Sequence, residues 1–256
     1  MARGNNDAMA DAAPPPVRTA LVTGGARRVG RAVVLHLARA GWDVAATYHT
    51  SSDAISTLAD AVEHLGRRFV QVRADFADPE AATDRVGRAI DAQFDRLDLL
   101  VHNASVYEPN DLDSLDLAAL RRDFAVHVET PLLLTRRLRP LLERAAGTVV
   151  TMTDTDLERS RPSYLSYQLT KAALANLTKN LARELAPNIT VNAIAPGAIL
   201  WAEGMTDDEK AAYLKRVPLA RAAEGDEVPK LIAFLATNGR YLTGETLRMD
   251  GGRHLR

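Results

Sequence analysis

The chain has 256 residues, a formal net charge of −1 and no cysteine. So small a charge argues against nucleic acid as the main partner, and the lack of cysteine excludes disulfides, thiolate catalysis and cysteine-ligated zinc. No apolar run approaches the ~18 residues that a membrane helix needs, so we expect a cytoplasmic protein with neither a membrane segment nor a metal site.

The first residues differ in composition from the rest of the chain. Residues 1–16 are rich in Ala, Asn, Asp and Pro, end in Pro14-Pro15-Pro16 and lack the apolar centre of a signal peptide. We predict a disordered leader over 1–16, with a docking arm as the alternative, because chain termini are commonly unanchored. Residues 17–256 are expected to form one domain, since no linker interrupts the pattern that follows.

Apolar, β-rich runs alternate with helical patterns along this domain. The predicted strands are Thr19–Val22, Val44–Tyr48, Phe69–Arg73, Leu97–Val101, Thr148–Met152, Ile189–Ile194 and Thr246–Met249. The predicted helices are Val29–Ala40, Ala54–Leu65, one that starts at Asp78-Pro79-Glu80, about 117–145 and about 163–185. Repeated strand–helix units predict an α/β fold, a single Rossmann-like doubly wound domain with about seven parallel strands and helices on both faces.

Ligands of such sheets bind at the rim where the strands end. That rim is expected to hold residues 23–30, 48–51, 75–76, 102–107, 153–155 and 196–200. A glycine-bearing turn over 23–30, Thr-Gly-Gly-Ala-Arg-Arg-Val-Gly, joins the first predicted strand to the first predicted helix. Glycines let the backbone approach a pyrophosphate, whose charge the helix N-terminus attracts, although a tight turn alone would also need glycine.

The end of the second predicted strand bears on the choice of cofactor. An NAD site usually carries an Asp or Glu there, about 20 residues beyond the glycine turn. Here residues 48–51 read Tyr-His-Thr-Ser, and Asp53 is assigned to the start of the next helix. Arg28, His49 and Ser51 are candidates to bind a 2′-phosphate instead, so we predict NADPH over NADH.

A tyrosine and a lysine lie at helical spacing in the helix predicted at about 163–185. Tyr167 and Lys171 are four residues apart, and Asp154 stands 13 residues before Tyr167. Residues i and i+4 share a helix face, so the ammonium is expected to lower the phenol pKa and to make the tyrosine a usable proton donor. With the glycine turn, the pair indicates hydride transfer from a nicotinamide cofactor. A Tyr-x-x-x-Lys pair also arises by chance, and Asp154 alone also fits a helix cap or a solvated loop acid.

These residues resemble the short-chain dehydrogenase/reductase superfamily over nearly the whole chain from about residue 18. Its turn is TGxxxGxG, and Arg28 stands at the middle glycine, a variant that looks like the pteridine reductases and bacterial dihydromonapterin reductases. The superfamily's NNAG element corresponds to residues 102–105, His-Asn-Ala-Ser, and its catalytic serine corresponds to Asp154. The run 250–256, Asp-Gly-Gly-Arg-His-Leu-Arg, also resembles the dihydromonapterin reductases.

The resemblance implies NADPH-dependent reduction of a dihydropterin, with hydride transfer to a C=N carbon and a proton to the neighbouring nitrogen. The implied catalytic residues are Asp154, Tyr167 and Lys171, of which Lys171 also binds the nicotinamide ribose. The implied cofactor-binding residues are Gly24, Arg27, Arg28, Val29, Gly30, His49, Thr50, Ser51, Asp75, Phe76, Asn103, Ala104, Ser105, Tyr167, Lys171, Pro196 and Gly197. The implied substrate-binding residues are Arg28, Ser105, Tyr107, Asp154, Tyr167 and Arg256, with Tyr107 stacking on the pterin.

Two positions depart from the family pattern. His127 takes the place of the helix asparagine that normally helps to hold a water for proton relay, and Thr50 stands where some pteridine reductases carry arginine. Residues from about 200 to 217 look like the variable substrate lid. The resemblance also implies a homotetramer, in which Arg256 reaches a neighbouring subunit's site or, alternatively, belongs to a solvated tail.

Three hypotheses about function remain at this point. The first is an NADPH-dependent pteridine reductase, favoured because the Asp154 carboxylate suits a donor-rich pterin and, unless protonated, would repel the oxyanion that develops on a ketone. The second is a reductase of 3-oxoacyl groups or another carbonyl, which shares the fold but is expected to carry serine at 154 and usually glycine at 28. The third is a non-enzymatic NADP-sensing module, disfavoured because such proteins typically lose the Tyr or the Lys.

Overall fold

We describe a computed structural model of the chain, over residues 16–158, 162–201 and 204–255. Apart from Pro16, the predicted leader lies outside these residues, and so does Arg256. Within them, the strands are β1 (Thr19–Val22), β2 (Asp43–Tyr48), β3 (Phe69–Arg73), β4 (Leu99–His102), β5 (Thr148–Met152), β6 (Thr190–Pro196) and β7 (Thr246–Met249). The α-helices are α1 (Arg28–Arg39), α2 (Ser52–Glu63), α3 (Pro79–Asp91), α4 (Leu117–Phe124), α5 (Thr130–Ala145), α6 (Leu165–Leu185), α7 (Asp207–Leu214) and α8 (Glu227–Thr237).

The seven strands of the described residues form one sheet in the order β3-β2-β1-β4-β5-β6-β7. Every pairing is parallel, which confirms the predicted Rossmann-like α/β fold. The chain starts at β1, proceeds outward to β3, and returns to place β4 on the other side of β1. The strand order therefore reverses between β1 and β4, and such a reversal opens a crevice at the carboxyl ends of the strands.

Both faces of the sheet are buried. Alternate residues of β1 point to opposite sides, so that Ala20 and Val22 lie in one apolar cluster while Leu21 lies in the other. Helices α1, α2 and α8 cover the first side, and α3, α5 and α6 supply residues to the second. Burial on both faces explains why these strands read as continuous apolar runs without a polar alternation.

The structure corrects the predicted helices in three places. The long helix predicted at about 117–145 is divided into α4 and α5 by a π-helical turn, Ala125–Glu129. The helix predicted from about 163 begins at Leu165, after Ser163 adopts a positive φ of 62°. Helix α8 was not predicted at all, although Val228, Ile232 and Leu235 recur at helical spacing and are fully buried.

Strand boundaries moved by one to two residues from their predicted places. Strand β4 runs to His102 and begins at Leu99, and β6 continues to Pro196. Both shifts carry strands further toward the carboxyl-end rim. Among the described residues, no helix combines the length and the apolar character that crossing a membrane requires.

Candidate active site

The glycine turn lies between β1 and α1, at the crevice. Gly24 has a φ of +62°, and Arg28 has a φ of +49°, in the left-handed region that favours glycine. Gly30 packs closely against the turn, so that an added Cβ there would overlap the Gly24 carbonyl oxygen. Arg27 is the N-cap of α1 and makes no side-chain cap hydrogen bond, and the first turn of α1 contains no acidic residue. The first turn of α1 therefore places no carboxylate of its own beside the free N–H groups of that helix end.

Asn103 fastens this turn to β4. Its side-chain amide donates to the carbonyl oxygens of Thr23, at 2.9 Å, and Gly24, at 3.1 Å. In return, the Thr23 hydroxyl accepts from the backbone N–H groups of Asn103 and Ala104, at 2.9 and 3.0 Å. The predicted cofactor residue Asn103 therefore stabilises the conformation of the glycine turn through its side-chain amide.

The carboxyl ends of β2 and β3 place exposed polar side chains beside the turn. His49 Nε2 lies 3.7 Å from Asp75 Oδ2, and both side chains are about half exposed. Thr50 and Ser51 follow, and Asp53 falls in the first turn of α2, as predicted. Phe76 was predicted at the cofactor site, but its side chain is buried in the core, which leaves only its backbone for such a role.

The predicted catalytic residues come together at the ends of β5 and α6. The Tyr167 hydroxyl donates to Asp154 Oδ2 at 2.9 Å. The Lys171 ammonium donates to the Met152 carbonyl at 2.7 Å and lies 5.5 Å from the centre of the Tyr167 ring. The carboxylate, the phenol and the ammonium form one cluster. The ammonium lies near the ring and donates a hydrogen bond to β5.

Lys171 has a lowered pKa. Its side chain is buried, and burial lowers the pKa of the ammonium to about 8, an effect that the nearby Asp154 charge partly offsets. A lysine with this pKa loses its charge within the range in which enzymes are assayed. The state of Lys171 is therefore coupled to the carboxylate that distinguishes this site.

His127, in the π-helical turn, links two parts of the site. Its Nε2 accepts from Val106 N at 3.1 Å and lies 2.9 Å from Ser105 Oγ, so that the ring proton belongs on Nδ1. Nδ1 then donates to Thr170 Oγ1 at 2.8 Å. Burial, with the charge of Lys171 adding to it, lowers the pKa of His127 to about 2, so the ring is neutral. Protein groups engage both ring nitrogens, and His127 ties the loop after β4 to α6.

Three tyrosines line the mouth of the site. The Tyr107 ring stacks on Tyr164, with centroids 4.3 Å apart and an angle of 14° between planes. The same ring meets Tyr167 edge-on at 4.7 Å. Tyr107 is 43% exposed, so part of its side chain is accessible to solvent. The predicted substrate residue Tyr107 thus adjoins the candidate proton donor directly.

The predicted lid contacts the glycine turn. Residues 200, 201 and 204–217 of the predicted lid lie within the described chain, and they contain helix α7, which starts with a capping box between Thr206 and Glu209. Arg28 donates to the Leu200 carbonyl at 2.9 Å and so joins the glycine turn to this lid. Pro196 ends β6, and Gly197, the next residue, donates from its N–H to the Met249 carbonyl at 3.0 Å.

Comparison with known proteins identifies the family. A family model described as Enoyl-(Acyl carrier protein) reductase matches residues 24–254. The chain is 35% identical to the dihydromonapterin reductase of Klebsiella pneumoniae, over 97% of this chain and 100% of that protein. The chain belongs to the short-chain dehydrogenase/reductase family.

Other members of the family are similar to a comparable degree. The 3-oxoacyl-acyl-carrier-protein reductase of Staphylococcus epidermidis is 30% identical over 93% of this chain and 99% of its own. A crystal structure of FolM alternative dihydrofolate reductase 1 from Brucella canis, complexed with NADP, superposes with a TM-score of 0.82 at 37% identity, covering 93% of this chain and 94% of that one. These relatives are named as reductases of different substrates.

Within this short-chain reductase, the sequence did not predict a hydrogen-bond network formed by Asn110, Ser166 and Asp123. Asn110 exchanges hydrogen bonds with Ser166, the neighbour of Tyr167, at 2.9 Å from Ser166 N and 2.7 Å to Ser166 Oγ. Ser166 Oγ in turn donates to the buried Asp123 carboxylate. Asn110 and Asp123 carry no motif of their own, and only their position in α4 and the preceding loop brings them under the catalytic helix. Arg256 lies outside the described residues, so its predicted role stays a prediction.

Proposed function

We propose that this short-chain reductase uses NADPH to reduce a dihydropterin, of the dihydromonapterin or dihydrobiopterin kind, to its tetrahydro form. The observation that supports it most is the 2.9 Å hydrogen bond between the Tyr167 hydroxyl and Asp154 Oδ2. A carboxylate in that place accepts hydrogen bonds from the amino group and ring nitrogens of a pterin. It would repel the oxyanion that forms on a ketone. The 35% identity to a dihydromonapterin reductase supports the same substrate class.

The residues at the crevice fit a dinucleotide that carries a 2′-phosphate. The N-terminus of α1 offers N–H groups without a side-chain cap, and Arg27 and Arg28 are exposed beside it. No carboxylate stands at the end of β2, where NAD enzymes usually bind the ribose hydroxyl. We propose that these groups hold NADPH together with the following predicted contacts: Gly24, Val29, Gly30, His49, Thr50, Ser51, Asp75, the Phe76 backbone, Asn103, Ala104, Ser105, Pro196 and Gly197. When bound, the cofactor supplies the hydride.

The chain's own residues then manage the proton and the orientation of the substrate. Tyr167 donates its hydroxyl proton to the substrate nitrogen beside the reduced carbon, as a general acid within reach of the rim. Asp154 orients that hydroxyl and accepts from the pterin's donors. Lys171 keeps a positive charge near the phenol and binds the nicotinamide ribose, while Tyr107 and Ser105 line the pterin slot.

The first test is NADPH oxidation with 7,8-dihydromonapterin and 7,8-dihydrobiopterin, beside acetoacetyl-CoA. We expect pterin turnover in the native chain and a loss of at least about 100-fold in Tyr167→Phe and Asp154→Ala, because each removes a group that acts on the transferred proton. Tyr241→Phe and Asp113→Ala, at exposed positions, are the matched controls and should keep full activity. Efficiency with NADH equal to that with NADPH would contradict the cofactor assignment.

The alternative is a carbonyl reductase, which the 30% identity to a 3-oxoacyl-acyl-carrier-protein reductase favours. Turnover of acetoacetyl-CoA alone by the native chain would establish that alternative and refute the pterin proposal. Asp154→Ser, which restores the superfamily's usual residue, should raise carbonyl turnover if that activity is latent in the fold.

We further propose that the enzyme is a cytoplasmic homotetramer. Helices α5 and α6 expose Leu132 and Leu169, whose side chains are 41% and 48% exposed. Assembly through these two long helices would bury such leucines. Sedimentation of the purified chain measures the assembly, and a monomeric mass at assay concentration would reject it.

A further inference from the structure

The C-terminal turn, residues 250–255, packs against the segment that follows Asp154. Thr155 Oγ1 donates to Asp250 Oδ2, and Arg253 Nη1 lies 3.1 Å from Asp156 Oδ1. The side chains of Arg253 and Asp156 are 12% and 8% exposed, so this ion pair is largely shielded from water. Residues about a hundred positions apart thus meet directly behind the candidate catalytic carboxylate.

Asp154 is fixed through both of its oxygens. Oδ2 accepts from Tyr167, and Oδ1 accepts from the backbone N–H of Asp156 at 2.8 Å. The orientation of the carboxylate therefore depends on where the backbone of Asp156 lies. That backbone carries the side chain that Arg253 holds. Asp156 is therefore the single residue that links the Arg253 guanidinium to the Asp154 carboxylate, which contacts the Tyr167 phenol.

Asp250 secures the C-terminal turn itself. Its carboxylate accepts from His254 N at 2.9 Å and from Gly252 N at 3.0 Å, besides the Thr155 hydroxyl. Burial opposes the charged form, but these hydrogen bonds outweigh it and lower the pKa of Asp250 to about 2. Arg253 therefore projects from a turn that these hydrogen bonds hold together.

The other face of Arg253 meets the lid. Its guanidinium carbon lies 4.6 Å from the centre of the Tyr213 ring, and Tyr213 belongs to α7. Tyr213 in turn packs edge-on against Trp201, at 5.6 Å between centroids. Arg253 is thus placed between the lid helix and the segment that orients Asp154.

We propose that Arg253 is a positioning residue that keeps Asp154 turned toward Tyr167 and links that orientation to the lid helix α7. The inference rests on the proposed function, since it assigns Asp154 a part in the reaction. A shielded ion pair gains little net stability over apolar residues of similar size, so stability alone does not account for it. Its consequence is geometric, because the arginine determines where the Asp156 N–H points.

The test is a double-mutant cycle between Arg253→Met and Asp154→Ala. In the native background, Arg253→Met should lower kcat about tenfold with KM for NADPH unchanged, since a displaced carboxylate misaligns the proton donor. In the Asp154→Ala background, the same change should alter the residual kcat less than about twofold, because no carboxylate is left to position. Arg253→Lys keeps the charge and should recover part of the loss.

Arg85→Met is the matched control, an exposed arginine of α3 that should leave kcat unchanged. An unchanged kcat in folded Arg253→Met, or an equal loss in both backgrounds, would overturn the inference. Should Arg253→Met fail to fold, Asp156→Asn replaces it in the cycle. That variant removes the ion pair, keeps the backbone N–H of residue 156, and is judged by the same two criteria.

The two proposals fail in different ways. Native turnover of dihydropterins tests the proposed function without any variant. The Arg253 inference depends only on ratios among variants, measured on whichever substrate the native chain reduces. A native enzyme that reduces only acetoacetyl-CoA therefore refutes the pterin assignment and leaves the cycle to be run on that substrate.

Discussion

At the scale of single residues, the site differs from its family through exchanged side chains that the structure accommodates in different ways. Asp154 accepts a direct hydrogen bond from Tyr167, so the 13-residue spacing correctly placed the two side chains together. Both ring nitrogens of His127 form hydrogen bonds to protein groups. Residue spacing could not predict these bonds, because Thr170 and the loop at Val106 approach His127 only in the folded chain. Sequence therefore predicted which candidate catalytic side chains come together, but not the residues that hold them in place.

Lys171 gives the first prediction at this scale. Its pKa of about 8 makes the ammonium dominant below that pH and the neutral amine dominant above it. We expect kcat/KM to fall as pH rises through about 8. Asp154 raises this pKa, so Asp154→Ala should move the descending limb to lower pH. A pH profile of the residual activity measures it, and an unmoved limb would show that Lys171 does not control this step.

At the scale of elements, the sheet was predictable and the interruptions were not. Continuous apolar runs indicated parallel strands because both faces are covered, and the seven strands of the described residues appear where they were expected. The π-helical turn Ala125–Glu129 depends on a local hydrogen-bond register, and apolar periodicity carries no signal for it. Helix α8 had a usable signal in Val228, Ile232 and Leu235, and it was overlooked beside the variable segment before it.

The junction between β1 and α1 gives the prediction at this scale. A Cβ on residue 30 would overlap the Gly24 carbonyl oxygen and lie 2.7 Å from Asn103 Nδ2. We expect Gly30→Ala to destabilise the fold by about 1–3 kcal/mol, as overpacking does, and to abolish dinucleotide binding. Gly225→Ala, where no atom lies within 4 Å of the added Cβ, is the matched control. Thermal unfolding and NADPH fluorescence titration measure the two effects, and native behaviour in both would contradict this account of the turn.

At the scale of the whole molecule, buried neutral histidines make stability depend on pH. Burial lowers the pKa of His102 to about 3, and burial with the charge of Lys171 lowers that of His127 to about 2, against 6.5 for an ordinary histidine. The unfolded chain takes up protons at these sites below pH 6.5, whereas the folded chain resists them until far lower pH. Both histidines therefore add stability above pH 6.5 that is lost progressively as pH falls below it.

The loss amounts to about 2 kcal/mol for each histidine at pH 5, by proton linkage. We expect His102→Asn to flatten the fall in unfolding free energy between pH 7 and pH 5, because it removes one of the two groups, whatever its effect at pH 7. Urea denaturation at several pH values measures the slope. An exposed histidine, His64→Asn, should leave the slope unchanged, and an equal slope in His102→Asn would contradict the assignment.

The stacked pair of Tyr107 and Tyr164 also gives the molecule an optical signature. Two phenol rings stacked 4.3 Å apart, with 14° between their planes, form a coupled aromatic pair at the mouth of the candidate site. A ligand that stacks on Tyr107 must share or replace that partner. Its arrival will therefore change the near-ultraviolet circular dichroism of the tyrosines, without label, turnover or cofactor oxidation. The circular dichroism of these two tyrosines can therefore serve as a direct measure of ligand binding at the mouth of the site.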